Sequence, residues 1–290
     1  MNIIFSIEGG LGKSIMGTAV LQAIKNQYPK SYIIVVTHYP DVFIGNPNAN
    51  KVFTHEKANG LYKNYIMDKS CKVFIGEPYH TSDFITESGH LIKIWCEMFG
   101  VQYNGETPEL FISKAERQYF EPFYRLGKPI MAIQPNGGAM NQPLKYSWTR
   151  DIPQPIMESV IEYFKNSHTI LHIKREDQIT YPNTLQALDN FRSVAILLSM
   201  SEKRLLIDSS AMHIAASLKL PSVVAWVGTN PNVFGYDWNT NIVANEPTRE
   251  INLTHNSYQK HLLFEDISTI PYNDLNEVFD ANKIIEALKK

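Results

Sequence analysis

The sequence predicts an α/β protein built from two similar parallel-sheet units in tandem. Three observations carry this expectation. Short apolar runs that read as buried strands alternate with stretches of helical spacing. The alternation pauses over residues 105–128 and then begins again. Small and polar residues follow several of the strands, at the end where open parallel sheets take their ligands.

In the first unit, residues 2–7 (NIIFSI) read as a buried strand and 14–28 as a helix with Ile15, Val20, Leu21 and Ile24 near one face, stopped by Pro29. Residues 32–37 (YIIVVT) make a second strand, 51–55 (KVFTH) a short third and 72–76 (KVFIG) a fourth. Helical spacing returns over 84–99 through Leu91, Ile94, Trp95 and Met98. The crossing region holds ELFIS and a charged, helix-like piece at 114–125. A new strand starts at 130–134 (IMAIQ) and runs into a long polar loop. A helix at 156–166, a strand at 168–173 (HTILHI) and a helix at 190–200 come next. Strand 204–208 (RLLID), helix 211–218 and strand 222–227 (SVVAWV) complete a second Rossmann-like pattern. The expected units are 1–127 and 128–272, and 273–290 is a closing amphipathic helix, a candidate to pack back on the first unit.

Composition narrows the function. The chain has 290 residues, 19% charged and 44% hydrophobic, which suits an ordinary globular protein. Its formal charge of −2 gives no global basic field, so nucleic acid is not an expected partner. The two cysteines, Cys71 and Cys96, have no metal-type spacing and fit a reducing compartment. The opening apolar run is too short for a signal or a span, and Glu8 interrupts it. A cytoplasmic protein is expected, with peripheral contact at the inner membrane left open.

The opening EGGLGKS raises two readings. A phosphate-cradling P-loop needs G-x-x-x-x-G-K-[ST], and here Ile7 occupies the place of the first glycine. Glu8 would put a carboxylate beside a triphosphate, which is electrostatically unfavourable. An ATP-dependent enzyme using Gly12-Lys13-Ser14 therefore stands as the alternative to a glycine-rich strand-to-helix turn, where small residues let a ligand come close.

The second candidate site is IDSSAMHIAA. A strand ends in Asp208, Ser209 and Ser210 fill the turn, and the next helix opens with free N–H groups that suit a phosphate. His213 lies near the first helical turn. Read alone, Asp208 or Ser209 is equally an N-cap and His213 a packed histidine. The following strand leads into Gly228-Thr229-Asn230-Pro231, a second polar turn at the same sheet edge.

The segment IDSSAMHIAASLKLPSVVAWVGTNP resembles the nucleotide-sugar segment of the heptosyltransferase-like family 9 glycosyltransferases, with its Asp-small-Gly-x-x-His and Gly-Pro-Thr-x-Pro motifs. GGLGKSIMGTAVLQAIKNQYP resembles the same family's GGLGD opening, and residues 134–152 its strand-loop segment with a lysine near a tryptophan. The resemblance implies a GT-B fold, two Rossmann-like domains facing each other across a cleft. It implies an inverting, metal-independent transfer of a hexose or heptose from a nucleotide-diphosphate sugar to a glycan or glycolipid acceptor of the bacterial surface. No cofactor is implied beyond that co-substrate. A catalytically degenerate protein that binds nucleotide or glycan is a further alternative.

The resemblance also implies roles. Asp208, Ser209, Ser210, Ala211 and His213 would surround the diphosphate, with Thr229 and Asn136 beside it. Lys145 would offset leaving-group charge, and Glu176 would take ribose hydroxyls. Gly9, Gly10 and Gly12 would line the acceptor side with His80 and Asp83. Lys13 stands where the family has its aspartate, so the base passes to Glu8 first, or to Asp83 or His80. Lys13 itself is a candidate for contact with a donor phosphate or an acidic acceptor, or else a solvated lysine. Two further departures are Lys145 three residues before Trp148 rather than two, and Ser210 in place of a glycine.

Overall fold

In the computed structural model NIIFSI forms strand β1 (Asn2–Ile7), buried from Ile3 onward, as a continuous apolar run predicts for an inner parallel strand. Residues 1–137, 149–188, 190–248 and 271–290 are described. The chain divides into two compact units, Met1–Ser113 with Ala216–Leu218, and Lys114–Ala215 with Lys219–Lys290.

In the first unit, β2 (Tyr32–Thr37), β3 (Lys51–Thr54) and β4 (Cys71–Phe74) join β1 in an all-parallel sheet of order β3-β2-β1-β4. The chain steps outward from β1 to β3 and then returns to the other side of β1. That reversal makes a switch point at the carboxyl ends of β1 and β4. Helix α1 (Leu11–Gln27) links β1 to β2 and is buried without a break from Lys13 to Leu21, covered all round rather than along one stripe. It approaches β1 closely because residue 17 is glycine: a Cβ there would stand 2.7 Å from Ile7 Cδ1. The helix expected over 84–99 is two helices, α2 (Ser82–Ile85) and α3 (Leu91–Met98). Glu87, at φ 53°, turns the chain between them, and the His90 side chain caps α3 by accepting from Ile92 N–H.

In the second unit, α4 (Lys114–Phe120) ends in a 3₁₀ turn, Glu121–Tyr124, that contains Pro122, so the expected helix at 114–125 is shorter. Then come β5 (Ile130–Ile133), α5 (Gln154–Phe164), β6 (Thr169–His172), β7 (Leu185–Gln186) and α6 (Phe191–Met200). β8 (Lys203–Ile207), α7 (Ser210–Ser217), β9 (Val223–Trp226), α8 (Pro231–Phe234), β10 (Thr240–Val243) and α9 (Ala281–Lys289) complete it. The six strands are parallel in the order β10-β9-β8-β5-β6-β7, with the switch point between β5 and β8.

Two boundaries differ from the sequence expectation. The division falls at Ser113 and Lys114, ahead of the expected 127, because side chains tie α4 to α6. Arg192 binds both carboxylate oxygens of Glu116, and Tyr124 O–H lies 2.5 Å from Ser193 Oγ. The closing helix is shorter than the expected 273–290 and packs inside the second unit: Ile284, Ile285 and Leu288 join the core with Met157 and Val160 of α5.

Candidate functional site

The second sheet's switch point gathers three turns. After β5, Gln134 and Asn136 are buried, and Gln134 Oε1 accepts the Ala211 N–H at 3.3 Å, the first turn of α7. Asp151 accepts Asn136 Nδ2 at 3.1 Å and Gly137 N–H at 2.8 Å. The turn after β8 lies alongside, since a Cβ on Gly137 would stand 3.7 Å from Ser209 Oγ. After β9, Gly228 N–H bonds to Thr149 C=O at 2.8 Å, and Asn230 caps α8. Each turn is thus tied to another part of the same unit.

Two buried oxygens here have no hydrogen-bond partner among the described residues, Asn136 Oδ1 and Thr229 Oγ1. Their residues are only 4% and 2% exposed. Buried polar atoms are normally satisfied, so unpartnered ones call for an explanation. Asp208 and His213 are also buried, with His213 Nε2 4.0 Å from Asp208 Oδ1 and His213 Nδ1 2.8 Å from the Tyr236 hydroxyl. Ser209 and Ser210 remain partly exposed at the start of α7.

At the first sheet's switch point, Gly9 adopts φ +94°, which favours glycine, and Gly10 sits at the N-cap of α1 with no side-chain cap. Gly12 lies in the first turn of α1. Glu8 is exposed. Lys13 is neither solvated nor free for a phosphate. Its side chain is 5% exposed and its ammonium lies 2.5 Å from Glu77 Oε2, on the loop after β4. The rings of Tyr79 and Trp95 stand 5.4 and 5.3 Å from the same nitrogen. A buried ammonium is costly unless a counter-charge meets it, and Glu77 supplies that charge. This arrangement also withdraws the cation on which the P-loop alternative depends. His80, in the turn that follows Glu77, and Asp83, in α2, are exposed.

A third group of titratable side chains occupies the carboxyl edge of β1 to β3. His55 Nε2 donates to Ile7 C=O at 3.1 Å, and its ring lies 4.5 Å from that of His38. His38 Nδ1 is 2.9 Å from Glu56. Glu56's own backbone N–H, and then His38, hold the Glu56 carboxyl below its ordinary value.

Sequence reasoning brought Asn136, Asp208, Ser209, Ser210, Ala211, His213 and Thr229 together, and these seven do lie on the three turns or in the opening residues of α7. Glu176 is exposed in the turn after β6, and Gln178 Nε2 instead reaches Gly137 C=O at 3.3 Å. Lys145 and Trp148 lie outside the described residues. Asp151 and Glu77 were missed. Asp151 stood unmarked before a helix, and Glu77 stood in a loop where only His80 and Asp83 drew notice.

No protein-family model matches the sequence, and no curated protein sequence is significantly similar to it. Solved structures are similar along nearly the whole chain. A family 9 glycosyl transferase from Veillonella parvula shares 16% identity, with 99% of this chain and 96% of that one covered and a TM-score of 0.69. The ADP-heptose lipopolysaccharide heptosyltransferase II of E. coli shares 14%, with coverage of 91% and 98% and a TM-score of 0.60. The chain has the GT-B fold. Another GT-B neighbour, the iron-containing dodecameric glycosyltransferase TibC of enterotoxigenic E. coli, shares 12%, with coverage of 97% and 67% and a TM-score of 0.62. Among the described residues of this GT-B chain, no three His, Cys, Asp or Glu side chains come together as a set that could hold a metal ion. No described helix is long and apolar enough to cross a membrane.

Proposed function

We propose that this GT-B chain is a glycosyltransferase that moves a hexose or heptose from a nucleotide-diphosphate sugar to a bacterial surface glycan or glycolipid. The observation that carries the reading is the pair of unpartnered buried oxygens, Asn136 Oδ1 and Thr229 Oγ1, on the turns that the sequence assigns to the donor. The likeness to glycosyltransferases, one of them described by its ADP-heptose donor, supports it.

In this reading the donor diphosphate sits at the start of α7, where Ser209, Ser210 and the remaining N–H groups offset its charge, with His213 and Asp208 behind them. Asn136 Oδ1 accepts a donor hydroxyl or amine, and Thr229 Oγ1 donates to an oxygen. Lys145 adds positive charge to the leaving diphosphate, and Glu176 takes ribose hydroxyls. The acceptor lies on the first unit beside Gly9, Gly10, Gly12, His80 and Asp83. A carboxylate at that unit's switch point, Glu8 or its neighbour after β4, removes the acceptor proton. Attack from the opposite face inverts the anomeric centre, and no step is routed through a metal. The enzyme works in the cytoplasm, against the inner membrane where its acceptor is a glycolipid.

The test is thermal unfolding with ADP, UDP, GDP, CMP and ATP, each with and without magnesium. A ligand at a hundredfold excess over its dissociation constant adds about 2.7 kcal/mol. The expected result is a magnesium-independent rise with one nucleoside diphosphate, lost in Thr229→Val. A rise with ATP and magnesium alone, abolished by Lys13→Ala, sinks the transferase in favour of the ATP-dependent alternative. A second reading, a nucleotide- or glycan-binding protein without turnover, is favoured by the cation at position 13, and donor turnover separates it from the enzyme.

A further inference from the structure

Two carboxylates stand at the first sheet's switch point, Glu8 after β1 and Glu77 after β4. They differ in how firmly they are held. Glu8 is exposed, has no ion pair among the described residues and leads into Gly9 and Gly10, the two residues least able to restrain it. Glu77 is held on both oxygens: Oε2 takes the Lys13 ammonium at 2.5 Å, and Oε1 takes the Tyr79 N–H at 3.4 Å. Lys13 is in turn fixed by the rings of Tyr79 and Trp95. Glu77 nevertheless keeps 31% of its side chain exposed, so a hydroxyl can reach it.

We propose that Glu77 is the general base of the transfer and that Lys13 is its positioning residue. This rests on the glycosyltransferase reading above. A base accelerates proton transfer only when its oxygen is held within hydrogen-bond reach of the hydroxyl, and misplacement by an ångström is costly. Lys13 performs that task from the buried side. Glu77 is the carboxylate that meets its buried ammonium among the described residues, so Lys13 holds that carboxylate beside the α1 turn.

The step balances as follows. A Glu77 oxygen takes the proton of the acceptor hydroxyl. The acceptor oxygen's electron pair forms the new bond to the anomeric carbon. The bond from that carbon to the donor phosphate oxygen breaks, and its electron pair leaves with the nucleoside diphosphate. Glu77 then returns its proton to water.

The experiment compares the native chain with Glu77→Gln, Glu8→Gln, Lys13→Met and Lys13→Met/Glu77→Gln. Binding of ADP, UDP and GDP is read by thermal shift. Release of nucleoside diphosphate from the corresponding sugar nucleotides is read with water as acceptor, so no acceptor need be known. The expected result is that E77Q binds the nucleoside diphosphate as the native chain does and releases it about a hundredfold or more slowly. K13M lowers kcat about tenfold or more with KM for the donor unchanged. The double variant is no slower than E77Q alone, because Lys13 acts through Glu77. It also removes both charges together, which guards against a fold lost to one unpaired charge. Release by E77Q near the native rate, or a loss confined to E8Q, overturns the assignment. A native chain that binds a nucleoside diphosphate but never releases one overturns it too, leaving the nucleotide site standing. A native chain that binds none of the three overturns the transferase reading itself.

Discussion

Asp151 holds Asn136 in one orientation. Its carboxylate takes Asn136 Nδ2 at 3.1 Å with one oxygen and Gly137 N–H at 2.8 Å with the other. The amide of Asn136 cannot flip without turning its own oxygen against a carboxylate. Oδ1 is therefore the atom presented away from Asp151, and it has no partner among the described residues. Leaving a buried polar group unpaired costs about 1–3 kcal/mol, so the orientation that Asp151 imposes on Asn136 has a price in stability.

Asn136→Asp tests that relationship. It sets a second carboxylate against Asp151 in a buried place and removes the donor that Asp151 uses. The expected loss is about 1–3 kcal/mol of stability, together with the thermal shift produced by nucleoside diphosphate. Urea unfolding with and without the nucleotide reads both effects. A variant that keeps the full nucleotide shift would place the ligand elsewhere.

Gly17→Ala sets two effects in competition. Alanine in a helix interior is favoured over glycine by about 1 kcal/mol. Its Cβ would stand 2.7 Å from Ile7 Cδ1, and overpacking of a filled core costs about 1–3 kcal/mol. Destabilisation is therefore expected in the native chain. In an Ile7→Val background the offending methyl is gone, and the same substitution should become stabilising. Denaturant midpoints of the four proteins complete the cycle.

His172, at the end of β6, is fully buried, and both ring nitrogens lack a partner among the described residues. Burial first, and Lys174 second, push its pKa down to about 4. The folded value lies below the ordinary 6.5, so the unfolded chain binds the proton more readily. Stability from this group is complete above pH 6.5 and falls as pH drops from there to about 4, by about 3 kcal/mol in all. His172→Leu removes the dependence and leaves no polar atom unsatisfied. The difference in urea midpoint between pH 7 and pH 5 should be smaller in this variant than in the native chain. An equal difference in both would assign the acid sensitivity to other groups.

How much could be read beforehand depended on where each signal resides. Strands β1 and β2 have the bounds expected for them, because a strand buried on both faces must be apolar along its length. β10 went unseen because it is a largely exposed edge strand, and β7 because it has only two residues. The break at 86–90 lay inside good helical spacing. A left-handed residue and a histidine cap decide it, and neither alters the apolar period.

The polar turns of the second sheet were legible for a related reason. Asp208, Ser209, Ser210 and Thr229 each follow an apolar strand directly, and the end of a strand is visible in the chain. Glu77 was not legible as the partner of Lys13, because 64 residues separate them and only the adjacency of β1 and β4 brings them together. The same holds for Arg192 and Glu116, 76 residues apart, whose pairing moves the boundary between the units.

The sequence by itself determined the tandem α/β pattern, the inner strands and the polar turns that end them, because backbone periodicity and burial act on neighbours along the chain. Only the tertiary structure decided which charges meet. It paired Lys13 with Glu77, turned Asn136 by means of Asp151, and seated α9 on α5. Electrostatic and packing energies depend on distance in space, and strand order, which no local pattern encodes, sets those distances.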